Sequence, residues 1–193
     1  IGSGLVGSEM CIRDRDKPIL DSLGIDKNKP EKQQRNQTGS PILEEGDILL
    51  NTTLAETNDW QQVDLPVVRT LRHFCIETLS SYTEDNQACI SEVDLLDDKG
   101  QPIDKTKWEV VYVSSEQADK NLGIAENLFD GDISSFWHTD PATEPGQPHR
   151  IIVDIKEIYK ISALRFKVRK GAFLSGKVKE INVYGRPQFF LFH

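Results

Sequence analysis

At 193 residues, 37% hydrophobic and 28% charged, the chain has the size of one domain with an extension or of two small ones, and the make-up of a soluble folded unit carrying polar segments. No apolar run approaches the roughly 18 residues of a membrane span. The net charge of −8 argues against nucleic acid as the main partner, because phosphate binding needs a basic footprint.

In chain order, residues 1–15 (IGSGLVGSEMCIRDR) come first and show neither strand nor helix periodicity. They lack the charged start and long apolar core of a signal peptide. They read as translated adapter sequence joined to a metagenomic gene fragment, or as a disordered natural tail. Residues 16–45 read as linker or as the tail of an upstream domain. Their polar block KNKPEKQQRNQ cannot bury enough surface to fold, and Gly39-Ser40-Pro41 punctuates them. The folded module is expected over residues 46–193.

From there the signal is β. Ile48-Leu49-Leu50 opens a short strand, and residues 60–65 alternate around Val63. Residues 72–79 (RHFCIETL) put Phe74 and Ile76 on one face with period two. Residues 88–96 (ACISEVDLL) form another strand, ended by the turn sequence Asp97-Asp98-Lys99-Gly100. Residues 108–113, 150–155, 161–168 and 178–184 complete the set. A short helix fits only residues 116–128. Many short strands with no long helical pattern predict an all-β antiparallel sandwich or barrel. Three cysteines are too few for a disulfide scaffold. Cys75 and Cys89 fall on different strands, either as buried free thiols or as a disulfide if the strands oppose them.

Residues 125–139 (AENLFDGDISSFWHT) carry the densest chemistry. Acidic and hydroxyl side chains alternate around Gly131, whose backbone freedom lets Asp130, Asp132 and Ser135 turn inward. That pattern suits a loop that wraps a hard cation with oxygen ligands. It equally suits a solvated Asp-Gly turn before a core tryptophan. Catalytic patterns are poorer: Glu77, Asp94 and Asp154 sit on strands with no spacing that forces proximity, and no nucleophile-elbow, zincin or phosphate-loop sequence occurs. Residues 156–186 carry nine basic residues against two acidic, either a solvated face or an attraction for an acidic glycan.

Ser114-Ser115-Glu116, Ala125-Glu126-Asn127, Asp130-Gly131-Asp132, Ser135, Trp137-His138-Thr139, Pro148-His149, Ile152-Val153-Asp154-Ile155, Ile161, Arg169 and residues 178–184 together resemble the first half of a coagulation-factor type C, or discoidin, domain. Bacterial versions are classed as family 32 carbohydrate-binding modules. Residues 72–81 with 88–96 resemble the other half, which in the usual family order comes last. Here it comes first. The chain therefore resembles a circularly permuted module, or one domain's end followed by another's beginning. The resemblance implies a jelly-roll sandwich of the galactose-binding-domain type.

It also implies a structural calcium. By position, Asp130 would give a side-chain oxygen, Asn127 and Asp132 their carbonyls, Ser135 its hydroxyl or carbonyl, and Glu92 a carboxylate from the far half. Sugar binding needs an aromatic face and a few fixed polar groups. The resemblance puts His138 and Arg169 in the polar role, with His138 facing outward. Phe173 offers a replacement platform where Pro141 stands in place of a usual aromatic, and His149 is either a further contact or a surface residue leading a strand. Three functions follow. The first is a non-catalytic carbohydrate-binding module, attached to an upstream glycan-degrading enzyme and working outside the cell or in the periplasm. The second is an adhesion module for protein or lipid head groups. The third is a structural spacer.

Overall fold

The computed structural model describes residues 39–83, 85–142, 146–169 and 175–193. The leader at 1–15, residues 16–38 of the expected linker, and Phe173 lie outside the described residues. Among the described residues eight strands form: β1 (Ile48–Thr53), β2 (Trp60–Ser81), β3 (Cys89–Ile90), β4 (Glu92–Asp97), β5 (Glu109–Val113), β6 (Trp137–His138), β7 (His149–Lys167) and β8 (Val178–Arg186). Every strand pair is antiparallel. Helical structure among the described residues is confined to short 3-10 turns, of which Asp119–Asn121 and Ala125–Phe129 fall where a short helix was expected. The fold is an all-β sandwich of the discoidin, jelly-roll kind.

Two long strands build both layers. The second half of β2 lies between β7 and β8: Phe74 pairs with Val153 on one side and Gly185 on the other. With β1 beyond β8 and β5 beyond β7, this is the first layer. The first half of β2 pairs with the second half of β7, Val63 against Leu164, and β4 follows with Leu95 against Leu164. This is the second layer. Phe74, Ile76, Ile151, Val153 and Val183 from the first layer share one core with Val93, Leu95, Leu164 and Phe166 from the second. The strands pass from layer to layer at local breaks. In β2 the register lapses between Asp64 and Arg69, around Pro66, which has no N–H to give the ladder. In β7 the turn comes at Lys156, held at φ 71° while Asp154 Oδ1 accepts its N–H at 2.7 Å.

The sequence predicts separate strands at 60–65 and 72–79, and again at 150–155 and 161–168. The structure joins each pair into one bent strand. A hydrophobic pattern stops at a bend, whereas pairing resumes beyond it. The two halves of the chain thus form one sheet, β2 and β4 lying on either side of β7.

Trp108, Phe129, Trp137, Leu164, Phe166 and Val183 are buried in the main core as the pattern requires. Ile152 is also buried, but on the opposite face, with Cys75, Tyr112, Tyr184 and Phe190. A bulge in β5 explains the switch there. Val110 and Val113 face the core, Tyr112 faces out, and the extra residue Val111 is exposed. The C-terminal segment roofs this second cluster. Phe190 packs beside Ile48 and Leu43, and Phe192 bridges Pro41. Ile42 N–H donates to Leu191 O at 2.8 Å, so ordered packing reaches back beyond Gly46. Cys75 and Cys89 are free, buried thiols.

Candidate functional site

The connection from β5 to β7 is pinned at several points before it reaches its acidic turn. Glu116 Oε2 accepts the Ala125 N–H at 2.9 Å. Asn127, itself buried, spans the loop by donating its amide to Phe136 O at 3.0 Å and to Asn121 O at 3.3 Å. Trp137 is fully buried and its indole N–H donates to Ser115 O at 3.0 Å. These contacts fix both ends of residues 125–139, so the turn between them has one shape.

That turn gathers oxygen. Gly131 sits at φ 84°, and open space surrounds the position a Cβ would take, so the glycine is there for its backbone conformation. Its N–H donates to Glu92 Oε1 at 2.7 Å, which brings a carboxylate from β4 onto the loop. Asp130 Oδ1 accepts the Asp132 N–H at 2.8 Å. The Asp132 side chain turns away to Ser134, while its carbonyl faces inward. The Ser135 hydroxyl lies 3.0 Å from both carboxylate oxygens of Asp130, 2.9 Å from Asp132 O and 3.4 Å from Asn127 O. A hydroxyl has one proton to donate. Four acceptor oxygens therefore surround a group that can satisfy one of them.

Of the five residues expected at a metal, Asn127, Asp130, Asp132 and Ser135 bring their oxygens together, and Glu92 reaches the same loop through the Gly131 N–H. No group of three or more His, Cys, Asp or Glu side chains is placed to hold a metal among the described residues. This cage has two carboxylates, Asp130 and Glu92, and its other oxygens are carbonyls and a hydroxyl. Such a set fits a hard cation and offers nothing to a soft one. Glu92 is nearly enclosed. Burial pushes its carboxyl up to about 7, against the pull of Lys105 and the Gly131 N–H. Lys105 caps Glu92 Oε2 and also reaches Asp94 Oδ1 at 2.8 Å. The sequence reading missed Lys105, which is far from the loop in sequence and carries no motif.

The expected sugar-binding residues behave differently. His138 does not face outward. It is 5% exposed, on the two-residue strand β6 opposite Cys89. Its N–H donates to Gly123 O, its carbonyl accepts from Gln117 N–H, and its Nδ1 lies against Thr139 O. A Cβ on Gly123 would stand 2.9 Å from His138 Cβ, so the two segments touch along their backbones. Burial lowers the His138 pKa, and the Arg169 charge lowers it further, so the ring is neutral near pH 7. His149 is not a surface residue either. It is buried, with Nε2 2.6 Å from Asn86 O, and it braces a residue held at φ 58°.

Arg169 is half-buried, with its guanidinium 3.8 Å from the centroid of the Phe136 ring. Phe136 was overlooked in the sequence, where it reads as a core residue before Trp137. Asp85 was overlooked too. Its carboxylate accepts Gly176 N–H at 3.0 Å, Gln87 N–H at 3.1 Å and the Thr83 hydroxyl at 2.9 Å, tying two loops at this end together. Burial works against its ionisation, but hydrogen bonds from Ser175, Gln87, Thr83 and Gly176 outweigh it and lower its pKa.

Residues 110–188 match the family described as F5/8 type C domain, and this part of the chain is a discoidin-like domain. A curated relative, a sialidase of Micromonospora viridifaciens, is 33% identical over 84 residues, which cover 42% of this chain. The chain matches 13% of that relative's length. Glu92 and the whole of β2 lie outside the family match, although the structure places them in the same sheet.

Proposed function

We propose that the chain is a non-catalytic carbohydrate-binding module with a structural calcium site, carried as an appendage of a glycan-degrading enzyme outside the cell or in the periplasm. The family match and the similarity to a sialidase support the glycan. The crowding of four oxygens around the single Ser135 proton is the observation that carries the metal. Asp130, Ser135, Glu92 and the carbonyls of Asn127 and Asp132 would hold the ion. When bound, calcium supplies the positive charge that those lone pairs lack. The module's contribution to an attached enzyme is effective concentration: a weak binding unit keeps it at a polymer surface.

Of the expected sugar-site residues among those described, Arg169 is the one that keeps some exposure, resting on the buried Phe136 ring, while His138 and His149 are buried. A glycan array probed with the whole chain, with and without chelator, tests the reading. Binding to a subset of glycans that weakens on chelation supports it, and no glycan bound in either condition contradicts it. One observation favours the adhesion reading instead: Ile133, on the acidic loop, is 49% exposed. Binding to phospholipid vesicles without glycan binding would select that alternative.

A further inference from the structure

The outer face of the second layer carries groups that the loop end does not use. Directly paired residues of antiparallel strands share a face. Trp60, Lys167 and Glu92 therefore form one row across β2, β7 and β4, and Gln62, Arg165 and Asp94 form the next. Asp64, Ala163 and Leu96 form a third. On the β4 side the face is covered: Glu92, Asp94 and Leu96 are buried, and Lys105 reaches over them. On the β2 side it is open, with Trp60, Gln62 and Asp64 all exposed.

An open tryptophan is out of keeping with the rest of this chain. Trp108 and Trp137 are 7% and 0% exposed, whereas Trp60 is 38% exposed. Its ring is held from behind. The Arg165 guanidinium lies 5.1 Å from its centroid, and Arg165 is in turn fixed by Asp94 Oδ2 at 2.6 Å. Beside it, Gln62 donates its amide to Asp64 Oδ1 at 2.8 Å, which sets the orientation of both side chains and leaves oxygens facing solvent.

A fixed aromatic surface next to oriented amide and carboxylate oxygens is the chemistry that recognises a sugar ring. The C–H face of the ring packs on the indole, and its hydroxyls donate to the oxygens. The charges select among sugars. Asp94 pairs with both Arg165 and Lys105, and the Lys167 ammonium donates to Asn58 O. Asp64 remains as an exposed carboxylate and repels an acidic sugar.

We infer that Trp60, Gln62 and Asp64, with Arg165 behind the indole, form a second saccharide subsite that takes a neutral hexose unit on the sheet face, away from the Arg169 end. It rests on the glycan-binding reading above. The experiment uses the three tryptophans: with two buried, acrylamide quenching of the intrinsic fluorescence reports Trp60. A panel of neutral and acidic oligosaccharides is applied to the whole chain and to the Trp60→Ala, Trp60→Phe and Arg169→Ala variants, each checked for an unchanged melting profile. Neutral oligosaccharides should shield the wild-type fluorescence, Trp60→Ala should weaken their binding about tenfold, and Trp60→Phe should restore part of it. Glycan binding that leaves the quenching unchanged and survives Trp60→Ala overturns the inference while the glycan-binding reading stands. No binding by any oligosaccharide removes both.

Discussion

The acidic loop and the histidine end are built on consecutive residues, and they use their polar atoms in opposite ways. Around Ser135 the fold brings four acceptor oxygens, from Asp130, Asp132 and Asn127, to one hydroxyl, and the backbone N–H groups of Asp132 and Ser135 meet two of them. Around His138, three residues on, the polar atoms are met by the fold itself, through Gly123, Gln117 and Thr139. The first arrangement is the one we propose a cation completes. The second is complete. A polar residue at a family position is thus a candidate ligand contact only where the fold leaves its chemistry unspent.

The sharpest way to break this contrast is to remove what both ends share. Trp137 lies between them and is fully buried. Trp137→Ala should cost about 3–5 kcal/mol of stability in chemical denaturation. A cost below about 1 kcal/mol would mean that the loop is anchored elsewhere.

The next test separates support from contact. His138→Ala empties a packed site and strips Thr139 O of its partner, for a loss of about 1–3 kcal/mol. Arg169→Ala, at a half-exposed position, should change stability by about 0.5 kcal/mol or less and act instead on glycan binding. The reverse ranking would return His138 to the surface role that the sequence suggested.

A smaller effect comes from pH. The folded pKa of His138 lies below its unfolded value of about 6.5, so the folded state favours the neutral ring. The stability this contributes is fully present above pH 6.5 and is lost as pH falls, because the unfolded chain then takes up a proton that the folded one resists. Buried His73 has the same sign. Denaturation curves should show stability falling between pH 7 and pH 5, in part from His138, and His138→Gln should flatten that slope. An unchanged slope would mean that the imidazole titrates freely.

What the sequence made legible follows from what is local. Alternation in residues 72–79 put Phe74 and Ile76 in the core, whereas of the apolar run 189–192 only Phe190 is buried, near Ile48 and Leu43. The oxygen donors of the loop were readable because Asp130, Gly131, Asp132 and Ser135 are close in sequence, while Glu92 came through the family resemblance. The direction of His138 was not readable. It depends on Gly123 approaching within backbone contact from another segment, and a lone glycine gives no sign of what it lies against. The bends of β2 and β7 were hidden for a related reason, since their continuity rests on partners across the sheet. Trp60 reads as a strand residue, and its exposure emerges only once Arg165 is seen to lie over it from β7.

The most direct test of the oxygen cage is the melting temperature of the chelator-stripped chain as calcium is added, alongside Asp130→Asn under the same conditions. Binding to the folded state alone adds about 2.7 kcal/mol at a hundredfold excess over Kd. The wild-type chain should therefore melt several degrees higher in calcium, and Asp130→Asn should not respond. A wild-type melting temperature that calcium leaves unchanged would contradict the account and make the loop a turn closed by its own hydrogen bonds.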